Sequence, residues 1–141
     1  MIRPSNPYRR TLTEAIESND PAALEALFQQ GVNPNIILCE DGEVPLLKAA
    51  RRGSDRALHV ILEHGATVTA TDTWNNTALH YAADAGNMSC VHQLLQRGSP
   101  INALNYYEVT PLMQAASSLH VDVVRHLDLA RCLHDTRVEP L

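Results

Sequence analysis

TALHYAADAG at residues 77–86 falls on VPLLKAARRG at 44–53 and on TPLMQAASSL at 110–119 when the chain is slid along itself by 33 residues. The register holds downstream, where ALHVILEHGATVTA (57–70) falls on CVHQLLQRGSPINA (90–103). A shift of 34 brings in the start of the chain. TLTEAIESND (11–20) then lies on PLLKAARRGS (45–54), and LEALFQQG (24–31) on LHVILEHG (58–65). The extra residue sits in the connector around PNIILCEDGE, where an insertion disturbs least. Self-similarity at a period of this size marks a repeat architecture, and four copies of one unit account for most of the molecule.

Glycine placement tests the repeat independently. All six glycines occupy its punctuation points: Gly31, Gly65 and Gly98 close the second helix of a unit, and Gly53 and Gly86 sit in the turn between paired helices. Gly42 marks the connector tip, where Asn75, tolerant of positive φ, stands one repeat later. Each unit can be built from elementary rules. Pro45 and Pro111 suit a first helical turn, and Thr77 and Thr110 suit the N-cap before it. A short helix follows whose buried face is small, carrying Ala49 and Ala50, Ala82 and Ala83, or Ala115 and Ala116. After the glycine turn, a second helix presents Leu58, Ile61 and Leu62, or Val91, Leu94 and Leu95, at the spacing of one apolar face. A hairpin-like connector such as ATVTATDTWNN leads to the next unit. No unit buries its own face alone, so the expectation is an all-α solenoid of stacked helix-turn-helix repeats.

The TALH and VPLL motifs with their paired glycines, and the TPLM motif of the fourth unit, resemble the ankyrin repeat, whose signature is TPLHxA. The resemblance covers about residues 6 to 128, with Thr11-Leu12 standing for Pro-Leu in the first unit. It implies a repeat domain over 11–128, with repeats at about 6–38, 39–71, 72–104 and 105–131. Residues 1–10 are left as an N-terminal segment and 129–141 as a tail or a truncated continuation. It also implies an L-shaped stack of helix pairs with a concave face that binds other proteins.

TALHYAADAG raises a competing possibility, since His80 lies three residues after Thr77 and four before Asp84, with Cys90 nearby. His80 and Asp84 share a helix face at i, i+4, so a catalytic dyad is geometrically possible. The sister units supply a control. Leu47, Met113 and Thr13 occupy the position of His80, and Arg51 and Ser117 that of Asp84. A position that alternates among His, Leu and Met is a packing position. The resemblance likewise implies a structural histidine that bonds within its turn and toward the neighbouring repeat. Neither an activated nucleophile nor a Gly-rich phosphate loop accompanies it, so no enzyme and no cofactor are expected.

Composition narrows the partners. With 45% apolar, 19% charged and only 4% aromatic residues, the core is aliphatic, and the formal charge of −5 argues against a phosphate-backbone binder. Arg9, Arg10, Arg51 and Arg52 form no basic stripe. Apolar runs are too short to span a membrane, and the start MIRPSNPYRRTLTEA lacks a signal peptide's apolar stretch. Three widely spaced cysteines, Cys39, Cys90 and Cys132, imply no disulfide framework, hence a reducing compartment, cytoplasm or nucleus. His120, His126, Cys132 and His134 cluster without paired metal-ligand spacing, so no metal is expected. His59 and His92 share one repeat position on the outer helix face.

What remains is a non-enzymatic, monomeric module for another protein, an adaptor or scaffold. Positions the repeat leaves free are Glu14, Glu17, Ser18, Lys48, Arg51, Arg52, Tyr81, Asp84, Ala85, Gln114, Ser117 and Ser118 on the first helices. On the connector tips they are Asp41, Glu43, Trp74, Asn76, Tyr106, Tyr107 and Val109. Aromatics and arginine anchor interfaces, so Trp74, Tyr81, Tyr106 and Tyr107 are the expected hot spot. Arg51 and Arg52 would select an acidic or polar element, with Asp41, Glu43, Asn76, Asp84 and Gln114 around them. The far end departs from the pattern: Leu119 and Arg131 replace glycines, and Asp128 replaces Leu62 and Leu95. Asp128 suits a polar terminal cap. If the chain is instead a fragment whose further repeats were removed, Leu129, Leu133 and Val138 would be left exposed. LDLARCLHD resembles the start of a SOCS box through Leu127, Ala130 and Arg131, which would make the chain a ubiquitin-ligase substrate receptor with contacts through its tail. A stoichiometric inhibitor is the other alternative; ankyrin inhibitors of cyclin-dependent kinases have about this size, though the shortened helix of their second repeat is absent. Asn102, after Leu94 and Ile101, resembles ankyrin sites of an asparaginyl hydroxylase, with Pro100 where an acidic residue is favoured.

Overall fold

Four helix pairs follow one another in the computed structural model, which describes residues 6–135, with side chains described through Leu133. The pairs are α1 (Tyr8–Glu17) with α2 (Pro21–Gln29), α3 (Pro45–Arg52) with α4 (Asp55–Glu63), α5 (Ala78–Ala85) with α6 (Met88–Gln96), and α7 (Pro111–Ser117) with α8 (Val121–Asp135). Among the described residues there is no strand, only an isolated antiparallel bridge between Thr71 and Thr77 at the neck of one connector. First helices pack on first helices and second helices on second, giving two layers with a continuous core between them.

The first layer forms as its sequence dictates. Thr77 and Thr110 are N-caps, accepting bonds from the backbone N–H of His80 (3.3 Å) and Met113 (3.2 Å). Pro45 and Pro111 lie in the first turn. Ala49, Ala50, Ala82, Ala83 and Ala115 are fully buried, whereas Ala116, expected on the same face, is exposed in this last unit, which has no further unit against it among the described residues. Leu46 and Leu79 of this layer meet Leu58, Ile61, Val91 and Leu94 of the second, all with essentially no exposure. Each such side chain contributes about 1.5–3 kcal/mol of burial.

Corresponding residues also staple unit to unit. The first residue after the inter-helix turn is Ser54, Asn87 or His120. Each reaches back one repeat: Ser54 Oγ donates to the Ile16 carbonyl (2.7 Å), Asn87 Nδ2 to Gly53 (2.9 Å), and His120 Nε2 to Asp84 (2.9 Å). The turn residue before them is left-handed in every unit, at φ of 52° for Asn19, 70° for Gly53, 71° for Gly86 and 62° for Leu119.

The two ends differ from the sequence reading. α1 begins at Tyr8, inside the segment set aside as N-terminal, because Asn6 Oδ1 accepts the Tyr8 N–H at 2.8 Å and starts the turn early. α8 continues through Asp135, past residues 128 and 131, since Arg131 supplies no glycine to stop it. Asp128 is exposed and pairs with Arg131 at 2.9 Å on the outer surface. Val138 lies outside the described residues. Met113, which corresponds to buried His80, is 51% exposed because no further connector lies over it among the described residues.

Two substitutions test this account. Leu119 holds a left-handed backbone with its side chain 82% exposed, so Leu119→Gly should raise unfolding free energy by about 1 kcal/mol in urea titration. Gly86→Ala should cost more than Gly65→Ala, because both have positive φ but only at Gly86 does a methyl strike the His120 ring. Equal losses would contradict that packing.

Candidate partner-binding surface

The connectors owe their shape to one side chain each. Asp72 Oδ1 accepts the backbone N–H of Trp74 and of Asn76, both at 3.0 Å. One repeat on, Asn105 Oδ1 accepts those of Tyr107 (2.9 Å) and Val109 (3.1 Å). Each residue also closes the loop by its own backbone: Asp72 N–H to the Asn76 carbonyl (3.2 Å), Asn105 N–H to that of Val109 (3.2 Å). In the earlier connector Asp41 takes over, its Oδ1 accepting from Glu43 N–H at 3.2 Å. Gly42, Asn75 and Glu108 turn the tips at φ of 83°, 62° and 60°.

These tips are joined to one another. Thr73 N–H donates to the Asp41 carbonyl (2.9 Å), and Tyr106 N–H donates to the Trp74 carbonyl (3.0 Å), at equivalent positions of successive units. Asn75 Nδ2 adds a bond to the Leu104 carbonyl (3.0 Å), and Asn105 Nδ2 one to Asn76 Oδ1 (2.8 Å). On this tied row Trp74 is 42% exposed, Tyr106 72% and Tyr107 71%. The structure brings these three of the four expected aromatics together at the surface.

The fourth is committed inward. Tyr81 is half-buried, packs against the core, and donates its hydroxyl to Asp72 Oδ2. Burial, followed by that bond, holds its phenol well above the ordinary range. Asn76 lies beside it, with Nδ2 3.4 Å from the Tyr81 oxygen. Glu43 is not at a free tip; it is buried, and both Nε (2.8 Å) and Nη2 (2.7 Å) of Arg51 donate to its Oε2. Lys48 is buried too, reaching Glu17 at 3.4 Å and Glu43 at 4.0 Å. Arg51 is therefore paired within the unit although it is exposed, and Arg52 beside it is exposed as well. Asp84 and Gln114 hold each other across units at 2.9 Å, and Ser118 Oγ also donates to Asp84 at 2.5 Å. Sequence reasoning missed Asp72 and Asn105, which shape the site; their recurrence at the register of Cys39 is the signal that marks them. Cys39 itself is exposed but donates its thiol to Asp41 at 2.9 Å, and partial desolvation of the thiol, then that bond, push its pKa up to about 11.

His80 has no catalytic geometry. It is buried, its Nδ1 accepts the Thr77 N–H at 3.1 Å, and its Nε2 lies 2.7 Å from the Val109 carbonyl of the next unit. The carbonyl can only accept, so the proton sits on Nε2 and the ring is neutral. Asp84 turns away to Gln114 and Ser118, and His80 and Asp84 share no bond among the described residues. Burial, then the Asp55 charge, pushes the Cys90 thiol up to about 12, where little nucleophilic thiolate forms. Surface hollows of about 340 Å³ beside His59 and about 730 Å³ beside Ser99 and Leu133 border neither His80 nor the aromatic tips.

The remaining candidates lie elsewhere. His59 and His92 are exposed on the outer helices, and the His92 ring meets that of His126 edge-on at 5.9 Å. Among the described residues no group of three or more His, Cys, Asp or Glu is arranged to hold a metal ion; the His134 side chain lies outside them. Asn102 is exposed. Within LDLARCLHD, Leu127 is fully buried while Leu129 and Leu133 are exposed.

Comparison with known proteins agrees with this architecture. A family model described as ankyrin repeats (3 copies) matches residues 12–105 and 70–132. A putative ankyrin repeat protein of Rickettsia bellii (strain RML369-C) is 29% identical over 96 residues, covering 52% of this chain and 40% of that protein. The chain thus spans less than half the length of that relative.

The His80 geometry predicts a pH dependence. Burial lowers its pKa below the ordinary 6.5, so between that value and the lower folded one the unfolded chain binds the extra proton. The stabilisation is complete above pH 6.5 and is lost as the pH falls through the folded pKa. His80→Leu should cost about 1–3 kcal/mol at pH 7, by orphaning the Thr77 N–H and the Val109 carbonyl. It should also flatten the decline in stability between about pH 7 and pH 5. Denaturant titrations of both proteins at each pH check this, and an unchanged slope would contradict it.

Proposed function

This chain belongs to the ankyrin-repeat family, a protein-interaction fold, and on that premise we propose that it acts as a non-enzymatic adaptor or scaffold whose contact surface is the row of connector tips. The observation that carries this reading is the exposure of Trp74, Tyr106 and Tyr107 on neighbouring tips tied by backbone hydrogen bonds. Large aromatic side chains held outside a core in a fixed arrangement are the residues that anchor interfaces. Arg52 is exposed at the C-terminal end of α3, the end away from the connector.

The reading as a ubiquitin-ligase receptor draws less support, because Leu127 of the SOCS-box-like segment is spent on the core. A stoichiometric inhibitor would use the same surface and differs only in what the partner does. Three unpaired cysteines favour a reducing compartment, cytoplasm or nucleus.

The test is affinity capture from lysate with mass spectrometry, comparing the natural chain with Trp74→Ala/Tyr107→Ala. Both residues are exposed, so helical circular dichroism should be unchanged while the main partner's affinity drops at least about tenfold. Capture at undiminished affinity would place the binding surface elsewhere.

A further inference from the structure

The charge on the tips is one-sided. Connector residues 32–44, 66–77 and 99–110 contain five carboxylates, Glu40, Asp41, Glu43, Asp72 and Glu108, and not one lysine or arginine, although the whole chain carries 11. Three of the five are used internally: Glu43 is buried against Arg51 and Lys48, Asp72 is buried under Tyr81, and Asp41 accepts from the Cys39 thiol and the Glu43 N–H. Glu40 and Glu108 are exposed and Asp41 is half-exposed. The nearest cations, Lys48 and Arg51, already face Glu17 and Glu43, although the Arg51 charge also reaches Asp41. Arg52 stands at the far end of α3, seven residues from Pro45 and so about 10 Å along the axis.

The aromatics and the free carboxylates lie on the same row. Asp41 bonds Thr73, the neighbour of Trp74; Trp74 bonds Tyr106; Tyr107 and Glu108 follow directly. An exposed indole and two exposed phenol rings offer negative π faces, and the exposed carboxylates Glu40, next to Asp41, and Glu108, next to Tyr107, belong to the flanking positions of the row. Such a row attracts a cation twice, through ring quadrupoles and through formal charge, and repels an acidic element. A planar guanidinium fits best, because it can stack on a ring while its N–H groups reach a carboxylate.

We propose that the connector tips take an extended, arginine- or lysine-bearing segment of the partner protein. This rests on the tips being the contact surface, as proposed above. It replaces the expectation that Arg51 and Arg52 select an acidic element, since Glu43 pairs with one and the other lies away from the rings.

The experiment uses a labelled peptide of alternating arginine and alanine, and the same peptide with citrulline, the neutral isostere, in place of arginine. Binding to the full chain is followed by anisotropy and by the fluorescence of Trp74, the only tryptophan. The arginine peptide should bind at least about tenfold tighter than the citrulline peptide. It should weaken several-fold between about 50 and about 300 mM salt and quench or shift Trp74 emission. Trp74→Ala/Tyr107→Ala keeps every charge yet should lose most of the affinity. Glu40→Gln/Glu108→Gln keeps every ring and should lose at least about threefold. Undiminished binding to the ring variant would reduce the effect to bulk negative charge and overturn the proposal. Equal or absent binding of the two peptides would overturn it as well. If lysate capture nevertheless depends on Trp74 and Tyr107, the tips remain the contact surface and only the partner's chemistry is wrong. If capture is also insensitive to them, both readings fall.

Discussion

Ala49, Ala50, Ala82 and Ala83 have no exposed surface, and their single methyl groups let α3, α5 and α7 lie close along their length. A larger side chain there would push units apart, and the losses would not stay local. The staples from Ser54, Asn87 and His120, the reach of His80 to Val109, and the ladder from Asp41 through Thr73 and from Trp74 to Tyr106 all span adjacent units at 2.7–3.0 Å. A hydrogen bond weakens steeply beyond such lengths, so every polar tie depends on the apolar spacing. Core packing thereby sets where the aromatic rings stand.

Much of this was legible in the sequence because repetition supplies its own controls. The variation from His80 to Leu47, Met113 and Thr13 marks a packing position rather than a catalytic one. The left-handed turns at Gly53 and Gly86, the Thr77 and Thr110 caps, and the Asn75 tip all lie where the repeat requires them. Even the departures were visible, since Leu119 stands at a glycine position and adopts the glycine's backbone.

The candidate site was only partly legible, and the reason is physical. Alignment of units separates recurring positions from variable ones, but a variable polar residue can serve either the partner or the stack. Glu43, Lys48, Tyr81, Asp84 and Gln114 vary between units and were read as free. Each instead meets a polar group that its own unit or a neighbour happens to offer: Arg51, Glu17, Asp72, Ser118 and Asp84 respectively. Such pairings join positions 30 or more apart, or lie between a connector and a helix, where single-position comparison cannot see them. Asp72 and Asn105 were overlooked for the opposite reason: an acid and an amide do the same backbone work.

What survives this sorting is a surface defined by subtraction. The stack consumes Lys48, Arg51, Glu43 and Asp72 near the tips and leaves Trp74, Tyr106, Tyr107, Glu40 and Glu108 without a structural task of comparable weight. The backbone beneath them is already fixed by the Asp72 and Asn105 side chains and by bonds to the adjacent tip. Ordering a mobile loop on binding consumes interaction energy, and a loop ordered beforehand avoids that loss. Glu108 sharpens the point: it holds φ of 60°, a conformation glycine or asparagine would adopt with less strain. Turn chemistry alone would favour replacing it, as Gly42 and Asn75 do in the sister units, so a free carboxylate beside two exposed tyrosines is a feature the fold opposes and a cationic partner would use.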